Sequence, residues 1–326
     1  MKRILVFRLS SIGDIVLTSP ILRCLKKDYP EAKIHFATKK IYAQVVASNP
    51  HIDHFHFFEE NWEEFAATFD DYQFDLYIDL HKNLRSKRLK RQLNFSTYYT
   101  YNKRNIDKWL LVNFKKNNLK EYSVVDSYFD VLPIANDGLG LDYYYDEKSV
   151  SIEIKKELST QPYIALVLAA KLATKRTPVL KIIDLVDQLD VHVILLGGKT
   201  EESYAAELMK GTQNKKCINK CGQLNLSESA HAVKMANKVI SHDTGLMHIA
   251  AAFNKDMAVI WGSTAPAFGF APYYKTDSKA NILQLENNHI SCRPCSKIGF
   301  DKCPKKHFKC INDLDFGVLV DWVRNS

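Results

Sequence analysis

The 326-residue chain has no apolar run long enough to cross a bilayer, and Arg8 breaks the apolar residues of its first stretch, MKRILVFRLSSIGD. Neither a membrane span nor a secretory signal is expected. Internal repeats and low-complexity tracts are absent too, which excludes solenoid and collagen-like architectures. With 46% apolar and 25% charged residues, a disordered chain is excluded. Glycine is sparse, at 12 residues, and the loop after the first predicted strand matches neither G-x-G-x-x-G nor G-x-x-x-x-G-K-[ST]. That excludes a dinucleotide fingerprint and a P-loop there. The seven cysteines are an odd number, and without an export signal they are expected to be reduced. A net charge of +8 is modest and permits an acidic partner without naming one.

What is present is alternation. Short apolar runs and longer segments of helical period follow one another in both halves, which predicts βα units and parallel sheets. The length exceeds what one core usually supports, so two domains are expected. Strands are predicted near 4–7, 33–37, 74–79 and 97–101, and then near 163–167, 191–196, 238–241 and 257–261. Between 14 and 29 the apolar positions share one helical face, although Pro20 should kink that helix or delay its start. Turn residues at 136–146 mark the join between the halves.

Four segments carry candidate chemistry. Ser10, Ser11, Gly13 and Asp14 follow the first strand, where open α/β sheets hold ligands, yet Asp14 would serve equally as a helix cap. Asp243, Thr244, Gly245 and His248 follow a second-half strand and open a helix of small residues. Unpaired N–H groups at such a start suit a phosphate, and tight helix packing is the alternative. Thr174 and Lys175, in Thr174-Lys175-Arg176-Thr177-Pro178 beyond an Ala169-Ala170-Lys171 turn, offer a neutral donor and a cation for a diphosphate, or a solvated basic loop. Glu201, after Gly197 and Gly198, would accept from ribose hydroxyls or end a plain turn.

Together, ILVFRLSSIGDIVLTSPILRCLK, IDLHKNLRSKRL, VILLGGKTEE, SHDTGLMHIAAAF and VIWGSTAP resemble the family-9 glycosyltransferases, the lipopolysaccharide heptosyltransferases and their relatives, along nearly the whole chain. The resemblance implies an α/β fold of GT-B type, two Rossmann-like domains facing a central cleft. Residues 1–145 would bind the acceptor and 146–312 the nucleotide sugar, and the helix within 313–326 would cross back to the first domain. It implies inverting transfer, without a metal or other cofactor, of L-glycero-D-manno-heptose from ADP-heptose to the lipopolysaccharide inner core, Kdo-lipid A or a heptosyl acceptor. The reaction would take place at the cytoplasmic, inner face of the inner membrane, whose anionic surface the chain would meet peripherally.

By the same resemblance Asp14 is the general base. Thr174, Lys175, Thr244, Gly245 and His248 hold the pyrophosphate, Asp243 contacts the donor and Glu201 the ribose. Asn83 and Arg85 fit the acceptor segment. One departure is Thr177, where the family usually carries Trp. A family-9 enzyme using another nucleotide sugar, or a non-catalytic nucleotide-sugar-binding protein of the same fold, remains the alternative.

Cys292-x2-Cys295-x7-Cys303-x6-Cys310 has spacing suggestive of thiolate ligands, with His307 beside them. A structural zinc, buried thiols and disulfides are all open readings, each structural rather than catalytic. The Tyr98–Tyr101 stretch beside Lys103 and Arg104 could stack on bases, but no recognition module accompanies it and no nucleic-acid partner is expected.

Overall fold

The computed structural model describes residues 2–168 and 172–325, so the predicted turn at Ala169, Ala170 and Lys171 lies outside the described residues. The chain forms two compact units. The first contains a five-stranded sheet and the second a six-stranded sheet, with every described strand pair parallel. Both are Rossmann-like α/β units.

In the first unit β1 (Arg3–Phe7), β2 (Lys33–Lys39), β3 (His54–Phe58), β4 (Gln73–Asp79) and β5 (Asn94–Thr100) lie in the order β3-β2-β1-β4-β5. Strand β1 sits centrally and all but its first residue is buried, which explains its unbroken apolar run. β3 was not anticipated. Its letters, HFHFF, mix histidine and aromatic residues, and only packing against Phe65, Phe69 and Tyr72 reveals them as half-buried strand residues. Pro20 does interrupt the first helix: one short helix spans Ile12–Val16, a second Ser19–Asp28, and Pro20 stands in the opening turn of the second, where its missing N–H is not needed.

In the second unit β6 (Tyr163–Val167), β7 (His192–Leu196), β8 (Cys217–Asn219), β9 (Lys238–His242), β10 (Asp256–Trp261) and β11 (Ile282–Glu286) run in the order β11-β10-β9-β6-β7-β8. The two edge strands, β8 and β11, were also unanticipated. One has three residues, and the other is nowhere fully buried, so neither shows an apolar run.

The turn-rich segment around 136–142 is fastened within the first unit. Arg23 donates to Asp137 Oδ2 at 2.9 Å and to the Gly140 carbonyl at 3.0 Å, and it pairs with Asp142. Gly140 has φ +73° and packs so closely on Lys275 that a Cβ would meet that backbone nitrogen at 2.5 Å, so glycine is required there. The first unit comprises Met1–Lys103, Ser123–Asp146 and Tyr273–Thr276, and the second Arg104–Tyr122, Glu147–Pro272 and Asp277–Ser326. A single cut in sequence therefore does not separate them.

The last helix, Gly317–Arg324, packs within the second unit. Its Leu319, Val320 and Trp322 enter the second unit's core beside Ile182, Leu185 and Ile260. Lys238 Nζ bonds the carbonyls of Trp322 and Val323, placing a cation on the helix C-terminus. Among the described residues no helix is long and apolar enough to cross a membrane.

Candidate functional site

At the carboxyl end of β1 the chain turns through Leu9 and Ser10 into the Ile12–Val16 helix. Asp14, in the first turn, accepts from the Ser11 N–H at 3.0 Å and the Ser11 hydroxyl at 2.8 Å through Oδ2. Its Oδ1 pairs with Arg8. The capping geometry foreseen as an alternative is thus realised, while the side chain keeps 21% of its surface exposed. Two donors on Oδ2 and one cation on Oδ1 leave lone-pair capacity on the carboxylate with which to accept a proton. Gly13 is buried beneath this turn, with Ser10 and Ser11 at its rim.

Arg8 was not singled out from the sequence. Its guanidinium is buried, bonding the Ser10 carbonyl at 2.9 Å, the Leu80 carbonyl and Tyr128 Oη at 3.3 Å. The only signal was a cation closing a buried apolar strand. His81 is the second such residue. Its ring meets Phe7 edge-on at 6.1 Å, and burial followed by the charge of Arg8 lowers its pKa to about 3, so it is neutral at pH 7. Asn83 caps the Leu84–Lys90 helix, accepting from Ser86 N at 3.0 Å, and Arg85 lies over the Phe58 ring at 5.5 Å. Asn83 therefore has a structural function in this unit, whereas Arg85 is exposed.

In the second unit, β9 ends at His242 and the Gly245–Ala252 helix begins directly after Asp243 and Thr244. Thr244 is extended at the N-cap, but its side chain makes no capping bond, and its Oγ1 is buried without a hydrogen-bond partner among the described residues. The first-turn N–H groups thus lack side-chain caps, as an anion-binding helix start requires. Lys175 Nζ approaches Asp243 Oδ2 at 2.6 Å, and Thr264 donates to the same oxygen at 3.3 Å. This fixes an ammonium beside the helix start. His248 is buried one turn in.

Thr174 and Glu201 are used differently from a free donor or acceptor. The Thr174 hydroxyl donates to the Phe300 carbonyl at 3.0 Å and accepts from Phe300 N at 2.7 Å and Ser263 Oγ at 2.8 Å. It fastens the Lys175 loop to β10's exit and to the cysteine-rich segment. Glu201 accepts from Gly198 N at 2.9 Å and from Thr200 Oγ1 at 2.8 Å, closing its own turn, and is buried.

The cysteine segment does not assemble a metal centre. Cys292 Sγ lies 3.7 Å from His307 Nε2, yet among the described residues no group of three or more His, Cys, Asp or Glu is arranged to hold a metal, and every cysteine is a free thiol. Burial pushes Cys295 and Cys310 up to about 11, as expected of protonated packing thiols. Cys310 lies within electrostatic reach of Cys292, Cys295 and Cys303.

One α/β unit presents a carboxylate on a strand-to-helix loop, and the other a cation-flanked helix start. A model of glycosyltransferase family 9 (heptosyltransferase) matches residues 62–299, and the chain belongs to that family. It is 24% identical over 350 residues to lipooligosaccharide heptosyltransferase 2 of Haemophilus influenzae, covering 95% of this chain and 99% of that one. In fold it is similar to a family-9 glycosyltransferase from Veillonella parvula (TM-score 0.76, 20% identity, 99% and 96% of the two chains). It is also similar to the E. coli ADP-heptose lipopolysaccharide heptosyltransferase II (TM-score 0.69, 20% identity, 96% and 98%).

Proposed function

We propose that this glycosyltransferase moves L-glycero-D-manno-heptose from ADP-heptose onto an inner-core acceptor of lipopolysaccharide, Kdo-lipid A or a heptosylated form of it, with inversion and without a metal. The acceptor hydroxyl attacks the anomeric carbon, the bond from that carbon to the diphosphate oxygen breaks, and Asp14 takes the hydroxyl proton. The electron pair leaves on ADP, whose growing charge needs donors. Lys175, His248, Thr244 Oγ1 and the N–H groups from Gly245 onward supply them, and Asp243 orients Lys175 and the donor. Thr174 acts by positioning Lys175, and Glu201 shapes the turn that would meet the ribose. Arg85, exposed beside Asn83, suits acidic groups of the acceptor. The reaction is placed on the cytoplasmic side of the inner membrane, with peripheral contact to its anionic surface.

The observation that carries the reading is the Lys175–Asp243 pair, at 2.6 Å, flanking a helix start whose Thr244 hydroxyl has no partner among the described residues. Calorimetric titration with ADP, UDP and GDP tests it, repeated for ADP with Lys175→Ala and His248→Ala. Selective ADP binding that weakens in both variants supports the donor site. A preference for UDP or GDP would favour a family-9 enzyme with another donor. Binding of ADP-heptose without turnover on any core acceptor would favour a non-catalytic binder.

A further inference from the structure

The helix Asn105–Phe114 turns one face inward and leaves the other uncovered. Leu111 packs with Leu119, Ala265 and Phe268, a small core within the second unit. Ile106, Trp109 and Phe114 of the same helix are 76%, 55% and 65% exposed. Trp109 and Phe114 meet edge to face at 5.3 Å, so two aromatic rings stand together at the surface. Soluble surfaces seldom carry such a cluster without a partner.

Charge around the helix is mostly positive, although the exposed Glu121 follows Lys120. Residues 103–120 hold six Lys or Arg and a single acid, Asp107, which is paired with Arg104. Lys116 and Lys120 are exposed. Lys297 reaches the start of the helix, at 3.2 Å from Asn105 Oδ1, and the neighbouring Ile298 is 67% exposed. Lys115 serves a different purpose, bonding the Pro294 carbonyl at 2.8 Å and so tying the helix end to the rest of its unit.

We infer that the Ile106, Trp109 and Phe114 face is a monotopic docking surface for an anionic lipid bilayer. A Trp and a Phe beside an aliphatic residue suit the boundary between headgroups and acyl chains, and a rim of lysines suits anionic headgroups. A neutral membrane would leave the lysines unused. The inference deepens the proposed function by naming the surface through which the enzyme meets a membrane, and it rests on that reading only for its purpose.

Sedimentation of the full chain with vesicles of phosphatidylcholine alone, and of phosphatidylcholine with phosphatidylglycerol, tests it without any sugar substrate. Failure of the transfer reaction therefore leaves this result untouched. Trp109 is also a built-in reporter, since Trp62, Trp261 and Trp322 are buried. The chain is expected to bind the anionic vesicles, with a blue-shifted emission, and to release as salt rises. Trp109→Ser with Phe114→Ser should lower partition about tenfold or more. Lys116→Glu with Lys120→Glu should lower it selectively on anionic vesicles. The altered side chains are exposed, and an unchanged circular dichroism spectrum and ADP affinity would show that the fold is kept. No binding to anionic vesicles, or binding indifferent to both pairs of changes, would overturn the inference. So would self-association that the aromatic pair abolishes, because a second copy would then cover the face.

Discussion

Thr177 and His242 are joined by two hydrogen bonds: His242 Nε2 accepts from the Thr177 N–H at 3.2 Å and lies 2.9 Å from Thr177 Oγ1. The Val167 carbonyl, 3.2 Å from Nδ1, can only accept, so Nδ1 carries the proton and Nε2 receives both donors. Burial lowers the imidazole pKa to about 4, and the ring is neutral at pH 7. Thr177 thus holds the neutral ring by polar contacts. Thr177→Val removes one donor and should destabilise the protein by about 1–2 kcal/mol, read from urea unfolding. Thr177→Trp adds volume to a buried site and should cost about 1–3 kcal/mol unless the loop moves.

Asp14 has two functions that substitution can separate. Asp14→Asn should retain much of the turn while lowering transfer about 10²–10⁴-fold, with ADP affinity unchanged. Asp14→Ala should lose activity similarly and stability more, because Arg8 is then buried without its carboxylate partner. Steady-state kinetics beside calorimetry and thermal unfolding distinguishes the two. Undiminished turnover of the Asn variant would remove Asp14 from the chemistry.

Thr174 and Lys175 are neighbours with opposite expectations. Thr174→Val removes a hydroxyl that bonds Phe300 and Ser263, and should lower stability by about 1–3 kcal/mol. Lys175→Ala breaks a partly exposed pair and should change stability little while weakening ADP binding. Equal effects of both on ADP affinity, with neither affecting unfolding, would make Thr174 a direct ligand.

A buried histidine pair in the first unit sets a pH dependence. His35 Nδ1 and His56 Nε2 are 2.9 Å apart, and burial, followed by neighbouring histidine charge, lowers the two pKa values to about 3 and about 4 from the ordinary 6.5. Both folded values lie below the unfolded one, so below pH 6.5 the unfolded chain binds protons that the folded chain does not. Stability should therefore fall as pH drops from 6.5 towards about 4 and about 3. Urea midpoints measured across that range check the slope, and His56→Gln, which does not titrate, should flatten it.

The fold class was legible because its central strands, such as β1 and β6, are buried on both faces and read as apolar runs. The edge strands and β3 were not, since their burial depends on partners distant in sequence. The glycosyltransferase family was legible from ordered segments at strand ends. What each side chain bonds was less so. Thr174 reads as a free hydroxyl until Phe300, 126 positions later, is placed against it. Arg8 looked like an interruption of an apolar run, and only the Leu80 and Ser10 carbonyls explain a guanidinium there.

The passage of Arg104–Tyr122 into the second unit bears on how such chains can be taken apart or recombined. A fragment beginning at 147 would lack Leu111 and Leu119, and would leave Ala265 and Phe268 facing water. A fragment ending at 146 would carry the Asn105–Phe114 helix without the residues it packs on. Chimeras between relatives must therefore carry this helix with the second unit. Splicing at the turn-rich segment alone would produce two incomplete proteins.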